Sequence, residues 1–474
     1  MYYIGIDLGT SGLKGLLVDG SGKILKEASA SYPVSYPEKG WSEQNPEDWL
    51  GAAIDVLHKL SHGVEKDIRG VSIGGQMHGL VILDENDKVI RPAILWNDGR
   101  AKEEVEYLNS LPLTEYTGNI AFAGFTAPKI IWVKKHEPEN FAKINKLCLP
   151  KDYLAYKLTG VFSTDYSDAS GMLLLDVKEK RWSNKMLEIC SVKEEWLPKL
   201  YESYAVTGKV NCLPDAVMTA GAGDNAAAAI GTGTVKEGDC NISLGTSGTL
   251  FIASEKFNLP KNNALHSFAH ANGKYHLMGC ILSAASANKW WIEDISGENY
   301  NSAEKAEKVM GKNGVYFLPY LSGERCPHND VNASGAFVGL SANTGKEEMS
   351  LAVLEGVAFA LRDCLELARN NGVSVAKSTV CGGGAKSKLW LKIISNVLNV
   401  ELQTVETEQG PAFGAAILAM VGCGEYEGTE QAAKAIVKKS TVSVPDGNLV
   451  RLYNEHYKKY KKLYPLLKDW YSEN

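Results

Sequence analysis

Two short stretches of the chain carry the same letters and suit the same chemistry. Residues 8–12 and 244–248 both read LGTSG, with Asp7 before the first copy and Ser243 at the matching place in the second. A Gly-Thr-Ser-Gly turn between strands bares several backbone N–H groups, and its small side chains let an anion come close. Two such turns from opposed halves would hold a polyphosphate between them. Gly9, Thr10, Ser11 and Gly12 would face it on one side, and Gly245, Thr246 and Ser247 on the other. A carboxylate beside phosphate is repulsive unless a cation intervenes. Mg²⁺, which takes few protein ligands and keeps several waters, is the natural mediator. Asp7 is therefore the expected metal ligand, and one metal lets the second copy dispense with its acid. Lys14, on the strand after the first turn, adds a point charge for phosphate.

Three further segments could complete a site. VCGGGAKSK follows a strand and opens a helix, with Gly383 and Gly384 in the turn, so a nucleotide could lie over it. It lacks G-x-G-x-x-G spacing, which disfavours a dinucleotide. GAGDNAAAAIGTG places Asp224 at a strand end before an alanine-rich helix, with Asn225 beside it. An acid there is usually a cap, but here it is the only strong polar group, and glycines open space around it. It is the candidate general base. GGQMHG and LWNDGR set His78 and Arg100 at glycine-bounded turns among apolar strands. They suit a small polyol, although His78 could be structural and Arg100 could serve only to pair with Asp98.

The elements that must position these groups repeat. YYIGIDLG, LKGLLVDG and KILKEASASY read as a β-meander, with DGSGK as a hairpin turn. DGSGK is no P-loop, because Leu17 and Ile24 stand where glycine and Ser or Thr are required. NPEDWLGAAIDVLHKL is a helix with Asn45 as N-cap. GMLLLDV looks like a strand. After a connector at residues 235–239 the opening grammar restarts with CNISLG, TSG and TLFIAS. The expected domains are residues 1–237 and residues 238–474. Tyr453, Tyr457, Tyr460 and Tyr464 form a packing stripe on the C-terminal helix, and the sequence leaves open whether it packs on one lobe or across both.

The 474-residue length suits two domains. The net charge of −6 lacks long blocks of one sign, which argues against bulk binding to nucleic acid or membrane. Nine scattered cysteines, no signal peptide and no apolar run of membrane-spanning length point to a cytoplasmic chain.

Across nearly the whole chain, IGIDLGTSGLKGLLVD, GGQMHGLVILD, RPAILWNDGR, GFTAPKIIWVKKHEPE, LPKDYLAYKLTG, GDNAAAAIGTG, SLGTSGTLF, YLSGERCPHN, GAFVGLSANTG and CGGGAKSKLW run in an order that resembles the FGGY carbohydrate kinases. The resemblance implies an α/β, two-lobed actin-like or sugar-kinase (ribonuclease H-like) fold, each lobe a mixed sheet flanked by helices. The active site would lie in the interlobe cleft, with sugar on the first lobe and ATP mostly on the second. It implies ATP and Mg²⁺, Asp224 as general base, Asp7 near Mg²⁺ and Lys14 near phosphate. Met77, His78 and Asn225 match sugar-contacting positions, and Gly383 and Gly384 the adenosine-side turn. GQMHG with LWNDGR favours D-xylulose over glycerol, gluconate or ribulose. The rivals are another pentulose or polyol, or an actin- or chaperone-type ATPase without a sugar. A homodimer is compatible with such a chain, whose oligomeric state the sequence leaves open. The family pattern is departed from at Cys326, where threonine is commoner, and at Ala222, where glycine is.

Overall fold

A meander opens the first sheet: β1 (Tyr2–Leu8), β2 (Gly12–Asp19) and β3 (Ile24–Ser31) pair antiparallel in sequence order. These coordinates are a computed structural model, which describes residues 1–259, 263–407 and 409–472. β1 and β2 are buried at most positions, whereas β3 alternates partly buried and exposed residues as an edge strand does. The Asp19 carboxylate fixes the β2–β3 turn by accepting from the N–H groups of Ser21 and Lys23, and Gly22 takes φ 87°.

α1 (Pro46–Ser61) begins at Asn45, whose side chain accepts from the Glu47 N–H. β4 (Ile68–Gly75) then pairs parallel with β1. α2 (Thr126–His136) and α3 (Pro150–Thr159) follow. β5 (Val206–Lys209) and β6 (Val217–Thr219) complete the order β5-β6-β4-β1-β2-β3, and β7 (Ala222–Gly223) pairs with the end of β4. α4 (Asp224–Gly231) leaves directly from β7.

The second sheet repeats this plan. β8 (Cys240–Leu244) and β9 (Gly248–Ser254) form the hairpin, β10 (His266–Ala269) is an added edge, and β11 (Tyr275–Ile281) is the third meander strand. α5 (Lys346–Asn370) leads to β12 (Lys377–Cys381), parallel to β8. α6 (Lys388–Leu398) leads to β13 (Glu401–Val405), parallel to β12. After α7 (Gly410–Gly422) and α8 (Thr429–Ile436), β14 (Lys439–Ser443) closes the order β10-β11-β9-β8-β12-β13-β14. Repeated letters thus mark repeated topology, with one difference in register. Leu8 faces Leu13 across the first hairpin, but Leu244 faces Gly248 across the second, so the second loop is one residue tighter.

α7 and α8 leave the second sheet and cover the first. A Cβ on Gly5 would stand 1.9 Å from the Ala412 carbonyl oxygen, and one on Gly414 would stand 1.7 Å from that of Ala227. The small-residue composition of α4 and α7 is therefore a packing requirement: backbone meets backbone where β1, α4 and α7 touch. The last helices, α9 (Gly447–Tyr460) and α10 (Leu463–Ser472), pack on the second lobe. Tyr453 and Tyr457 donate to Glu355 at 2.9 Å and Asp363 at 2.5 Å, both on α5.

GMLLLDV is mostly not a strand. Gly171 and Met172 belong to a 3₁₀ turn, Leu173 takes φ 61°, and only Leu175–Asp176 pairs, with Arg181–Trp182. Its leucines are fully buried in a core shared with α2, so the apolar run fills a core instead of a sheet. Among the described residues, no helix is long and apolar enough to cross a membrane.

Candidate active site

β1, β4 and β7 end side by side, and the polar groups of the first lobe collect at that edge. Asp7 is the penultimate residue of β1 and lies opposite Lys14 on β2. Asp224 is the first residue of α4, directly after β7, with Gly223 as N-cap. Its carboxylate accepts from the Asn225 N–H at 2.7 Å and from the Asn225 side-chain amide at 3.2 Å. Burial raises the Asp224 carboxyl to about 6, against a small opposing pull from the Asn225 N–H. Burial and the nearby charge of Asp224 raise Asp7 to about 7, with Lys14 opposing.

The two acids therefore form a pair whose negative charge the protein leaves under-compensated. Lys14 is engaged elsewhere: it pairs with Glu27 at 3.2 Å and donates to Gln409, just before α7. Among the described residues, Asp7 accepts no hydrogen bond, and no group of three or more His, Cys, Asp or Glu could hold a metal alone. One hard oxygen ligand beside a second carboxylate fits Mg²⁺ carried mainly by phosphate and water.

Side chains that sequence reasoning missed hold the first turn from below. Tyr32 donates to the Gly9 carbonyl at 2.6 Å and Gln44 to the Thr10 carbonyl at 2.7 Å. The Thr10 hydroxyl donates to Gln76 at 3.3 Å and accepts from the Trp96 indole at 3.0 Å. Gly12 closes the turn by accepting from the Gly9 N–H at 3.1 Å. Ser11 is exposed at its tip. Gln76 and Trp96 stand inside GGQMHG and LWNDGR, but nothing in the letters distinguishes them from packing residues.

Behind Asp224 lies a second missed cluster. Lys151 is fully buried, with its ammonium 2.6 Å from Asp152, 3.1 Å from Asp165 and 3.8 Å from Asp168. Those acids keep Lys151 charged despite burial, while burial itself raises Asp168. Asp165 accepts from Ser167 and from Ser203, and the Ser167 hydroxyl accepts from the Gly223 N–H at 3.2 Å. This network braces the β7–α4 junction that presents Asp224.

Met77 abuts the same junction: a Cβ on Gly223 would stand 2.9 Å from the Met77 side chain. His78 takes φ 69°, hydrogen-bonds through Nδ1 to the Gly171 carbonyl at 2.8 Å, and stacks on Phe125 at 4.5 Å. Burial, and then the charges of Lys129 and Arg325, push the imidazole down to about 3, so it is neutral. Arg100 turns away from this wall. It is bidentate to Asp98, 2.7 Å from Glu43, and stacked on Trp41.

In the second lobe a cavity of about 710 Å³ is lined by Thr246, Ser286, Tyr300, Gly383, Gly384 and Trp390 among others, a size suited to a nucleotide. Thr246, Gly383 and Gly384 are thus brought together. The Gly245 carbonyl accepts from Ala285 and the Thr246 carbonyl from Ala284, which leaves the turn's N–H side outward. Thr246 is exposed at its tip and Ser247 is half-buried beside it. A Cβ on Gly384 would stand 2.8 Å from the Trp390 ring, so this turn needs glycine for close approach. No hydrogen bond joins the two LGTSG turns among the described residues.

Two lobes of one topology, with acids on the first and a nucleotide-sized cavity on the second, define a sugar kinase of the actin-like, ribonuclease H-like type. The chain belongs to the FGGY family of carbohydrate kinases: the N-terminal domain model of that family matches residues 2–231 and the C-terminal domain model residues 240–423. It is 39% identical to a xylulose kinase of Escherichia coli (strain K12), over 98% of this chain and 99% of that one. A crystal structure of a xylulose kinase from Brucella ovis, 40% identical, superposes with a TM-score of 0.94 over 99% of this chain and 100% of that one. A gluconate kinase from Lactobacillus acidophilus also superposes at 0.94, with 26% identity over 100% of this chain and 99% of that one.

Proposed function

We propose that the protein transfers the γ-phosphoryl group of ATP to the C5 hydroxyl of D-xylulose, giving D-xylulose 5-phosphate and ADP. The observation that carries this reading is the Asp7–Asp224 pair at the strand edge, with Asp224 raised to about 6 and braced from behind. The naming of the xylulose kinase relatives supports the choice of sugar.

Asp224 accepts the hydroxyl proton as the C5 oxygen attacks the γ-phosphorus and the bond to the ADP oxygen breaks. A base near neutrality is matched to that task at cellular pH. Asn225 fixes the carboxylate, and Met77 and His78 form the sugar wall. Gly9, Thr10, Ser11 and Gly12 face the phosphates from the first lobe, with Gly245, Thr246 and Ser247 opposite. Gly383 and Gly384 lie along the adenosine. Lys14 reaches phosphate by exchanging its Gln409 and Glu27 contacts. Mg²⁺, when bound, neutralises phosphate charge, and Asp7 is the residue that would hold it. Catalysis is then mainly positioning and charge stabilisation.

Residues 1–237 carry sugar and base in this scheme, and residues 238–474 carry ATP. Nine free cysteines suit the cytoplasm. A coupled ADP-release assay across D-xylulose, D-ribulose, D-xylose, glycerol and gluconate tests the reading. D-xylulose is expected to give the highest kcat/KM. A higher value for gluconate or ribulose, or ATP turnover indifferent to every sugar, overturns it.

A further inference from the structure

Arg325 begins in the second lobe and ends against the first. Its loop is pinned to β11, where the Cys326 N–H donates to the Cys280 carbonyl at 3.0 Å. Glu324 and Asp330 exchange backbone hydrogen bonds at 2.8 and 2.9 Å. The Glu324 carboxylate accepts from the backbone N–H groups of Leu282 and Arg325, at 2.9 and 2.7 Å. The Arg325 guanidinium lies over the Phe122 ring of the first lobe, 4.6 Å from its centroid. Phe122 packs on Phe125 at 5.5 Å, and Phe125 carries the His78 ring at 4.5 Å.

This arginine is unlike the other sheltered ones. Arg91 and Arg100 pair with Glu43, and Arg362 and Arg369 with Glu366. Arg325 is partly buried, yet among the described residues no carboxylate lies within 4.0 Å of its guanidinium and none accepts its side-chain N–H groups. A sheltered guanidinium without an acceptor is a recognition group in waiting.

The neighbouring groups say what it recognises. Neutral His78 donates through Nδ1 to the Gly171 carbonyl, so its Nε2 can only accept. Lys129 donates to the carbonyls of His78 and Gly124. A ketone oxygen can only accept, so the His78 Nε2 does not serve it, and two of the three Lys129 N–H groups are already committed to backbone carbonyls. Arg325 is the guanidinium on this wall whose N–H groups have no acceptor among the described residues. The wall runs from Asp224 past Gly223 and Met77 to His78 and then to Phe122, so the end of the sugar remote from the base meets Arg325.

We propose that Arg325 is a sugar-contacting, specificity-determining residue supplied by the second lobe, donating hydrogen bonds to the C2 ketone and C1 hydroxyl of the ketose whose C5 hydroxyl lies at Asp224. The proposal rests on the function given above. The test measures KM for D-xylulose, KM for ATP and the competitive inhibition constant of xylitol, which has the same carbon chain with an alcohol at C2. Wild type, Arg325→Met and Arg325→Lys are compared at matched melting temperature. Arg325→Met is expected to raise KM for D-xylulose by about 10- to 100-fold, the range of a lost charged hydrogen bond. KM for ATP should stay within about twofold, and xylitol should lose much less affinity, since its C2 hydroxyl can donate to His78. Arg325→Lys, which keeps charge without the fork, should fall between. An unchanged KM for D-xylulose in both variants of an active enzyme overturns the role of Arg325 alone, as does an equal loss for D-xylulose and xylitol. A wild-type enzyme inactive on D-xylulose overturns the function and this proposal together.

Discussion

Asp224 and Asp7 are costly as acids and useful for the same reason. Burial lifts both, and the charge of Asp224 lifts Asp7 further. Replacing Asp224 by asparagine keeps the shape and removes the proposed base, so kcat should fall by about 10²- to 10⁴-fold while sugar binding survives. Near-normal turnover would sink the assignment. As the proposed base, Asp224 must be ionised to act, so kcat/KM for the sugar should fall as pH drops through about 6, which a pH series from 5 to 9 would read. Asp7 makes the opposite prediction for stability. Above pH 7 it is ionised in both folded and unfolded chains, and its raised native value is then a penalty. As pH falls from about 7 toward 4, the native chain takes up the proton first and the penalty disappears. Asp7→Asn without Mg²⁺ should therefore unfold later than wild type at pH 8, by at most about 4 kcal/mol, and no later at pH 4. Denaturant melts at both values check it. Asp7 and Asp224 were legible in the sequence because each stands at a strand end beside a glycine-rich junction. Lys151, Asp165 and Arg325 were not, because burial and a missing partner are properties of the assembled lobes and leave no local mark.

The helices α4 and α7 show why two segments of the sequence are so poor in large side chains. The alanine-rich run after Asp224 could be read as a helix, but its need for small residues comes from a neighbour nearly two hundred positions away. Gly414 meets the Ala227 carbonyl, and Gly231 meets the Gly410 carbonyl at 2.8 Å from a built Cβ. Gly414→Val should force these helices apart and cost about 3 kcal/mol or more, seen as a lower denaturation midpoint at unchanged slope. The turns are the contrast. A Cβ on Gly9 would stand 3.1 Å from the Gly12 carbonyl, and one on Gly245 would stand 3.6 Å from that of Ser247. Gly9→Ala should fold normally and raise KM for ATP, in keeping with a turn that serves phosphate. Loss of folding in that variant would instead make the glycine structural. The shared LGTSG letters revealed two equivalent hairpins, but not the one-residue difference in their pairing.

At the level of the molecule, the lobes meet through polar contacts as well as through α7. Asn119 of the first lobe donates to the Ser267 carbonyl at 2.9 Å and accepts from its N–H at 3.0 Å, so one amide side chain completes the edge strand β10. Ser170 accepts from the Ala269 N–H one residue pair further along. Asn119→Ala would leave the buried Ser267 groups unpaired and should lower stability by about 1–3 kcal/mol. An unfolding midpoint equal to wild type would show that water replaces the amide. The two-lobed plan was readable from the restart of strand, turn and strand at Cys240. The placement of α7 was not, since an apolar helix has no letters that say which of two sheets it covers.

That placement also sets a timetable. All strands of the first sheet have been synthesised by Gly223, yet the β1 surface at Gly5 is covered by a helix that begins at Gly410. At about 5–20 residues per second, a ribosome takes roughly ten to forty seconds to cover that interval. During it, the first strand to emerge must keep one face unsealed until nearly the end of the chain arrives.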